Sequence, residues 1–137
     1  MTMLRSAALA IVAVLTFTAV VEAACLTTDL NNTTWYAYIT YHGGWTRCIV
    51  KIDSAGAVIS GTACKTYDAN DGASTDTVTG GTLAVRTSCL VVNGKVITAN
   101  TGTHTITEAM LDRGKSVLVG VGRDTATEPW QFSAVKK

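Results

Sequence analysis

Two histidines and one glutamate are the side chains best suited to acid–base chemistry. The histidines are His42 and His104, and Glu108 falls on the same strand alternation as His104. A hydrolase would use such a pair as acid and base, but no G-x-S-x-G or HExxH motif accompanies it. A His and a Glu on one strand face are more often solvent-facing, so the sequence predicts a protein that is not an enzyme.

An acidic segment, YDANDGASTD, is the next candidate for chemistry. Four carboxylate or amide side chains of the kind that calcium prefers lie close together in it: Asp68, Asn70, Asp71 and Asp76. The segment departs from an EF-hand loop, because Gly72 stands at the fifth position and Thr79 where the terminal Glu is required. We therefore interpret residues 65–80 as a solvated polar loop and predict neither a metal nor a cofactor.

The densest group of aromatic residues lies in TTWYAYITYHGGWTRC, residues 33–48, with five of the nine in the chain. Gly43-Gly44 predicts a two-residue hairpin turn that places His42 opposite Trp45. One face is then mostly apolar and is assigned to the core: Trp35, Ala37, Ile39, Cys48, Val50 and Ile52. The other face mixes rings with basic groups and is the predicted binding site: Tyr36, Tyr38, His42, Trp45, Arg47 and Lys51.

The predicted binding site favours a protein or glycan partner of the cell envelope or the extracellular space. Exposed rings stack on sugars or on partner side chains, and neighbouring cations hold anionic groups. The alternative is that the long Lys and Arg stems cover the rings and only stabilise the hairpin. The net charge of +1 gives no indication of nucleic acid or of an anionic membrane as a partner.

The first 24 residues are typical of a secretory signal peptide. Arg5 supplies a charged start, an apolar run covers residues 7–21, and cleavage after Ala23 leaves Val21 at the −3 position. A lipoprotein signal requires a Leu-like residue three positions before its cysteine, and Glu22 stands there before Cys25. We therefore expect residues 25–137 to form one periplasmic or secreted domain with no membrane insertion after signal removal.

Four cysteines, an even number in a small exported chain, predict two disulfides. Zinc is the competing explanation, but no two cysteines have the close spacing of a zinc knuckle. The predicted strand positions favour Cys48–Cys64, as diagonal neighbours, together with Cys25–Cys89. Four cysteines allow three pairings, so the other two remain open at this point.

The predicted fold is all-β, a single antiparallel meander of about eight strands. Branched and aromatic residues alternate, with turn sequences such as Asp53-Ser54-Ala55-Gly56, Asn93-Gly94 and Asp112-Arg113-Gly114 between them. The predicted strands are 34–42, 45–53, 57–64, 81–92, 95–100, 103–111, 115–122 and 129–136. An up-and-down barrel is favoured over a β-sandwich, because closure removes the edges of a continuous meander.

The barrel interior provides an alternative site. Alternation predicts an inward lining that includes Val117, Val119, Val121, Trp130, Phe132 and Ala134. Eight-stranded barrels can hold one small ligand, so the alternative function is a carrier of a small apolar or aromatic ligand beside Trp35, Tyr41 and Trp130. Lipocalins and avidins are barrels of analogous architecture, but Thr33-Thr34-Trp35 lacks the glycine of the lipocalin Gly-x-Trp and no other motif of that family accompanies it, so the analogy is to the architecture alone.

Overall fold

The computed structural model describes residues 24–137, and within them all regular structure is antiparallel strand. The strands are β1 Thr33–Tyr41, β2 Gly44–Ile52, β3 Ala63–Asp68, β4 Gly72–Thr82, β5 Leu90–Val91, β6 Gly94–Thr98, β7 Gly102–Leu111, β8 Val117–Arg123 and β9 Pro129–Lys136. Eight of them close a barrel in the order β1-β2-β3-β4-β6-β7-β8-β9, and β5 is an extra strand beside β7. The predicted barrel is confirmed. The predicted signal peptide lies outside the described residues, apart from Ala24.

The first hairpin buries the predicted face in a different register. Trp35 lies opposite Val50, and Tyr41 lies opposite Gly44, so the two turn residues are His42 and Gly43 instead of Gly43 and Gly44. Gly43 has a φ of 90°, which glycine adopts without strain. The pairing differs from the prediction by two residues. Because side chains alternate with a period of two, this slip changes partners and leaves both faces as predicted.

The predicted polar loop over 65–80 is wrong, because these residues form most of the β3–β4 hairpin. Cys64, Asp76 and Val78 point inward. Thr77 and Thr79, on either side of Val78, are exposed. Threonine is branched at Cβ and suits a half-buried strand, so the polar composition concealed a true alternation. The predicted strand over 57–64 is instead mostly irregular and joins the sheet through the single bridges Ile52–Val58 and Ala57–Thr82.

The predicted strand over 81–92 and its Asn93-Gly94 hairpin are also wrong. The chain leaves the sheet after Thr82 and returns at β5. Leu90 then pairs with Met110, and Gly94 pairs with Ile106, so β5 and β6 follow one another along the same edge of β7. Asn93 has a φ of 55°. This single left-handed residue interrupts the ladder without reversing the chain.

The inward lining predicted for β8 is inverted. Val117, Val119 and Val121 are exposed, and Leu118 is buried. Glycines occupy the inward positions that follow it, and a Cβ atom on Gly122 would lie 2.2 Å from Cζ2 of Trp130. The bulky indole therefore requires glycine on the facing strand. Of the predicted β9 lining, Ala134 is buried, and Trp130 and Phe132 are partly buried against the core.

One end of the barrel is closed by the N-terminal segment. Leu30 in this segment is completely buried, and the ion pair between Lys115 Nζ and Asp29 Oδ2, at 2.9 Å, holds the segment against the β7–β8 turn. The Cys25–Cys89 disulfide attaches its start to the irregular chain before β5. The β1–β2, β3–β4, β6–β7 and β8–β9 turns lie together at the opposite end.

Both predicted disulfides are confirmed, Cys25–Cys89 and Cys48–Cys64. Cys48 and Cys64 are directly opposite one another on β2 and β3, with a Cα–Cα distance of 4.1 Å. Two disulfides fit an oxidising extracellular or periplasmic environment. Among residues 24–137, no helix is long and apolar enough to cross a membrane.

Candidate functional site

Three aromatic side chains form a row across the outer face of β1, β2 and β3. We call Tyr38, Trp45 and Tyr67 the aromatic row. The ring centroids of Tyr38 and Trp45 are 5.8 Å apart, and those of Trp45 and Tyr67 are 6.0 Å apart, with interplanar angles of 21° and 23°. The three residues are 48%, 38% and 47% exposed. The row is therefore ordered by ring stacking while much of its surface remains available to a partner.

Two cations lie beside the aromatic row. Arg47 on β2 is directly opposite Tyr38 on one side and Lys65 on the other. Among the described residues, neither cation has a carboxylate partner. Like charges directly opposite one another destabilise a sheet, so an anionic group bound between Arg47 and Lys65 would relieve that repulsion. The two cations and the rings of Trp45 and Tyr67 line a shallow groove of about 330 Å³.

The other predicted residues of the first hairpin lie on the same exposed surface but outside the row. Tyr36 and Lys51 are exposed on β1 and β2, and His42 is exposed in the turn between them. Tyr67 was missed by the sequence analysis because its segment was assigned to a loop. The signal that reveals it is the alternation of Lys65 and Tyr67 with the inward Cys64 and Thr66.

An exposed apolar stripe continues the outer surface beyond β1. The stripe consists of Met110, Val117, Val119, Val121 and Val135. Met110 pairs with Val119, and Val119 pairs with Ser133, whose other neighbour is Tyr38 of the aromatic row. One groove of about 620 Å³ is lined by Tyr38 and by three residues of the stripe. The aromatic row and the apolar stripe are therefore one continuous outer face.

A separate cavity of about 190 Å³ lies inside the barrel at the end where the four hairpin turns meet. Tyr41 and Trp130, two of the three residues named for the alternative site, line it. Trp35 does not: it is 2% exposed, and its Nε1 donates to Thr33 Oγ1 at 2.8 Å. Trp35 therefore belongs to the core, where it borders a much smaller space of about 50 Å³ below the cavity.

Asp76 organises one wall of this cavity. Its carboxylate accepts hydrogen bonds from the backbone amides of Thr77, Asn100 and Thr101, at 2.7, 3.0 and 3.1 Å, and from Thr101 Oγ1 at 3.0 Å. Burial by itself raises the pKa of Asp76, but these bonds outweigh it and hold the pKa at about 2. The carboxylate thus fastens the β6–β7 turn to β4 and stays ionised.

His104 and Glu108 do not form an acid–base pair. His104 lies inside the barrel, where its Nε2 is 2.9 Å from Thr101 Oγ1 and its ring contacts Trp130 edge-on. Burial lowers the pKa of His104, against the opposing influence of Asp124 and Asp76. A bulge between Ile106 and Glu108 reverses the alternation and places Glu108 on the outer face. The predicted hydrolase pair is therefore separated by the barrel wall.

The acidic segment is distributed over two sides of the hairpin. Asp68 Oδ1 accepts from the backbone amide of Asn70 at 2.8 Å in the β3–β4 turn, whereas Asp76 points inward. In the part of the chain that the structure describes, no group of three or more His, Cys, Asp or Glu residues is arranged to hold a metal ion.

Comparisons with known proteins give this chain no family. No protein-family model matches it, and no curated protein is significantly similar to it.

Proposed function

We propose that the protein is an exported, periplasmic or secreted, non-enzymatic binding protein that acts through its outer face. The aromatic row beside Arg47 and Lys65, two opposed cations with no carboxylate partner within residues 24–137, is the observation that carries the proposal. Rings pre-positioned by mutual stacking lose little conformational entropy when a partner binds. Aromatic and Arg side chains also dominate the binding energy of most interfaces.

The partner that this surface favours is a protein with acidic side chains. A glycan would use the aromatic row and the cations but has no need of the apolar stripe. Large exposed apolar patches on soluble proteins mark protein contacts, and three residues of the stripe share one groove with Tyr38 of the aromatic row, with exposed Ser133 between them. Acidic groups of the partner would lie over Arg47 and Lys65, while its apolar side chains cover Met110, Val119 and Val121.

The test uses a photo-crosslinking amino acid in place of Tyr38, with the same substitution at exposed Ile97 on β6, away from the aromatic row and the apolar stripe, as the control. Crosslinked partners from the extracellular or periplasmic fraction are identified, purified and titrated against the wild-type protein. A glycan array is probed with the same protein. We expect a protein crosslinked from position 38 and not from position 97.

The double variant Tyr38→Ser/Trp45→Ser should weaken binding of that partner at least about tenfold, because truncated aromatic anchors typically cost more than 1 kcal/mol each. The double variant Ile59→Ser/Ile97→Ser removes two exposed apolar side chains elsewhere and should bind normally. Near-UV circular dichroism verifies that both variants are folded. A partner that binds both variants equally well would contradict the proposal, and binding of glycans alone would replace the protein partner with a sugar.

A further inference from the structure

The cavity inside the barrel has apolar and aromatic walls and one open side. Its apolar wall is formed by Ile39, Val96, Pro129 and the Cys48–Cys64 disulfide, and the rings of Tyr41 and Trp130 complete it. Trp130 is held by a tilted contact with Phe132, with ring centroids 5.7 Å apart, and by the space that Gly122 leaves for its indole. Small-molecule sites are typically preformed concave pockets with such walls and a few polar groups.

The charged side chains that line this cavity are negative. Within the part of the chain that the structure describes, its lining includes three carboxylates, those of Asp76, Asp124 and Glu128, and neither Lys nor Arg. His104 is the basic side chain among these described lining residues, and its burial favours the uncharged ring. Carboxylates gathered around a partly enclosed space attract cations, because the low-dielectric walls focus their field.

Two of the three carboxylates have an oxygen available to a ligand. Asp76 is engaged by the β6–β7 turn, and Asp124 uses Oδ1 to accept from the backbone amide of Glu128 at 2.9 Å. The Glu128 side chain is exposed at the edge of the cavity and has no hydrogen-bonding or ionic partner among the described residues. A positive group that enters the cavity therefore meets the second oxygen of Asp124 and the carboxylate of Glu128.

We propose that this cavity binds a small organic cation, an ammonium group carried on an apolar or aromatic body. The ammonium group lies between the carboxylates of Asp124 and Glu128 and the rings of Trp130 and Tyr41, which attract cations through their π faces. The ligand body packs against Val96, Ile39 and the disulfide. A volume of about 190 Å³ is below the roughly 300–1,000 Å³ of drug-sized pockets, so the ligand contains about one ring.

This site is distinct from the outer face. Its walls come from the inward positions of the strands, and the aromatic row lies on the outward positions of β1, β2 and β3. The cavity inference therefore does not depend on the proposed function, and either can fail without the other.

Three nearly isosteric probes test the charge preference: phenethylamine, 2-phenylethanol and phenylacetate. Binding to the oxidised protein without residues 1–24 is followed by calorimetry and by ¹H–¹⁵N chemical shifts. The amine should bind at least about tenfold more tightly than the alcohol, as expected for a cation held by rings and carboxylates. Phenylacetate should bind more weakly than the alcohol. The shifts should concentrate at Tyr41, Thr101 and Trp130.

Two variants and one control locate the site. Glu128→Gln should weaken amine binding up to about fivefold, the scale of a partly exposed ion pair, and leave the alcohol unchanged. Val96→Phe fills the cavity and should abolish binding of both probes. Glu108→Gln removes a carboxylate from the outer face and should have no effect. Because Glu128 is exposed, its variant remains informative even if Val96→Phe does not fold.

Three results would overturn the inference. The first is the absence of any saturable shift with phenethylamine at millimolar concentration. The second is binding of phenylacetate as tightly as the amine. The third is amine binding at another site, shown by an affinity that Glu128→Gln leaves unchanged or by shifts that map to the outer face instead of the open end.

Discussion

Removal of the Cys25–Cys89 disulfide is expected to lower the free energy of unfolding by about 4 kcal/mol, the loop-closure value for a sequence separation of 64. The Cys25→Ala/Cys89→Ala variant should be compared with Cys48→Ala/Cys64→Ala, for which the separation of 16 gives about 3 kcal/mol. Guanidinium unfolding under non-reducing conditions measures both. The disulfide that closes the longer loop should contribute more stability, because it removes more conformational entropy from the unfolded chain.

The first disulfide also has a structural role that the second does not share. It ties down the segment that carries Leu30 into the closed end of the barrel. Its removal should increase hydrogen exchange in residues 25–32, while removal of Cys48–Cys64 should leave that segment protected. A larger loss of stability from the Cys48–Cys64 variant, with residues 25–32 still protected in both, would show that the N-terminal segment is not held by its disulfide.

Asp76→Asn is expected to cost about 2 kcal/mol, because it leaves partly buried N–H and O–H donors of the β6–β7 turn without an acceptor. An amide has one oxygen, whereas Asp76 uses both carboxylate oxygens toward Asn100 and Thr101. Urea unfolding at pH 7 measures the cost. Asp71→Asn, in the exposed β3–β4 turn, is the matched control and should change stability by less than about 0.5 kcal/mol.

The same carboxylate predicts a dependence of stability on pH. The pKa of Asp76 is lowered from 3.8 to about 2 in the folded protein. Its stabilising contribution is therefore complete above pH 3.8 and is lost as the pH falls toward 2, by about 2 kcal/mol in total. The stability difference between wild type and Asp76→Asn should shrink over this range. A difference that stays constant from pH 5 to pH 2 would mean that the ionised carboxylate does not hold the turn.

Side-chain alternation predicted the strand faces correctly where the turns were short and the apolar and polar residues were clearly separated. The inward face of the first hairpin and the strand 129–136 were predicted correctly. Apolar residues there alternate with polar ones, and the flanking residues strongly favour turns. The same reasoning failed at Val117, Val119 and Val121. Valine favours a strand whichever face it occupies. The glycines must face inward to leave room for Trp130, so the valines that alternate with them face outward.

The candidate sites were predicted only in part for similar reasons. Tyr38 and Trp45 were identified from their position in the first hairpin, but Tyr67 joins them only because β3 pairs with β2. Asp76 and His104 are 28 positions apart in the chain, and nothing local indicates that Thr101 links them. Glu108 was misplaced because a single bulge, invisible to a period-two pattern, moves it to the other side of the barrel wall.

The sequence by itself determined the all-β class and the inward face of the first hairpin, and it favoured a barrel over a sandwich and one disulfide pairing over the other two. These follow from local alternation, from turn residues and from the positions of four cysteines along a few strands. Only the tertiary structure decided which strands lie side by side, and with that the aromatic row, the apolar stripe and the charge of the cavity. Pairing of β3 with β2 completes the aromatic row, and pairing of β7, β8 and β9 forms the stripe. The β1–β9 pairing that closes the barrel then joins these two surfaces and brings the carboxylates of β4 and of the β8–β9 turn to one cavity.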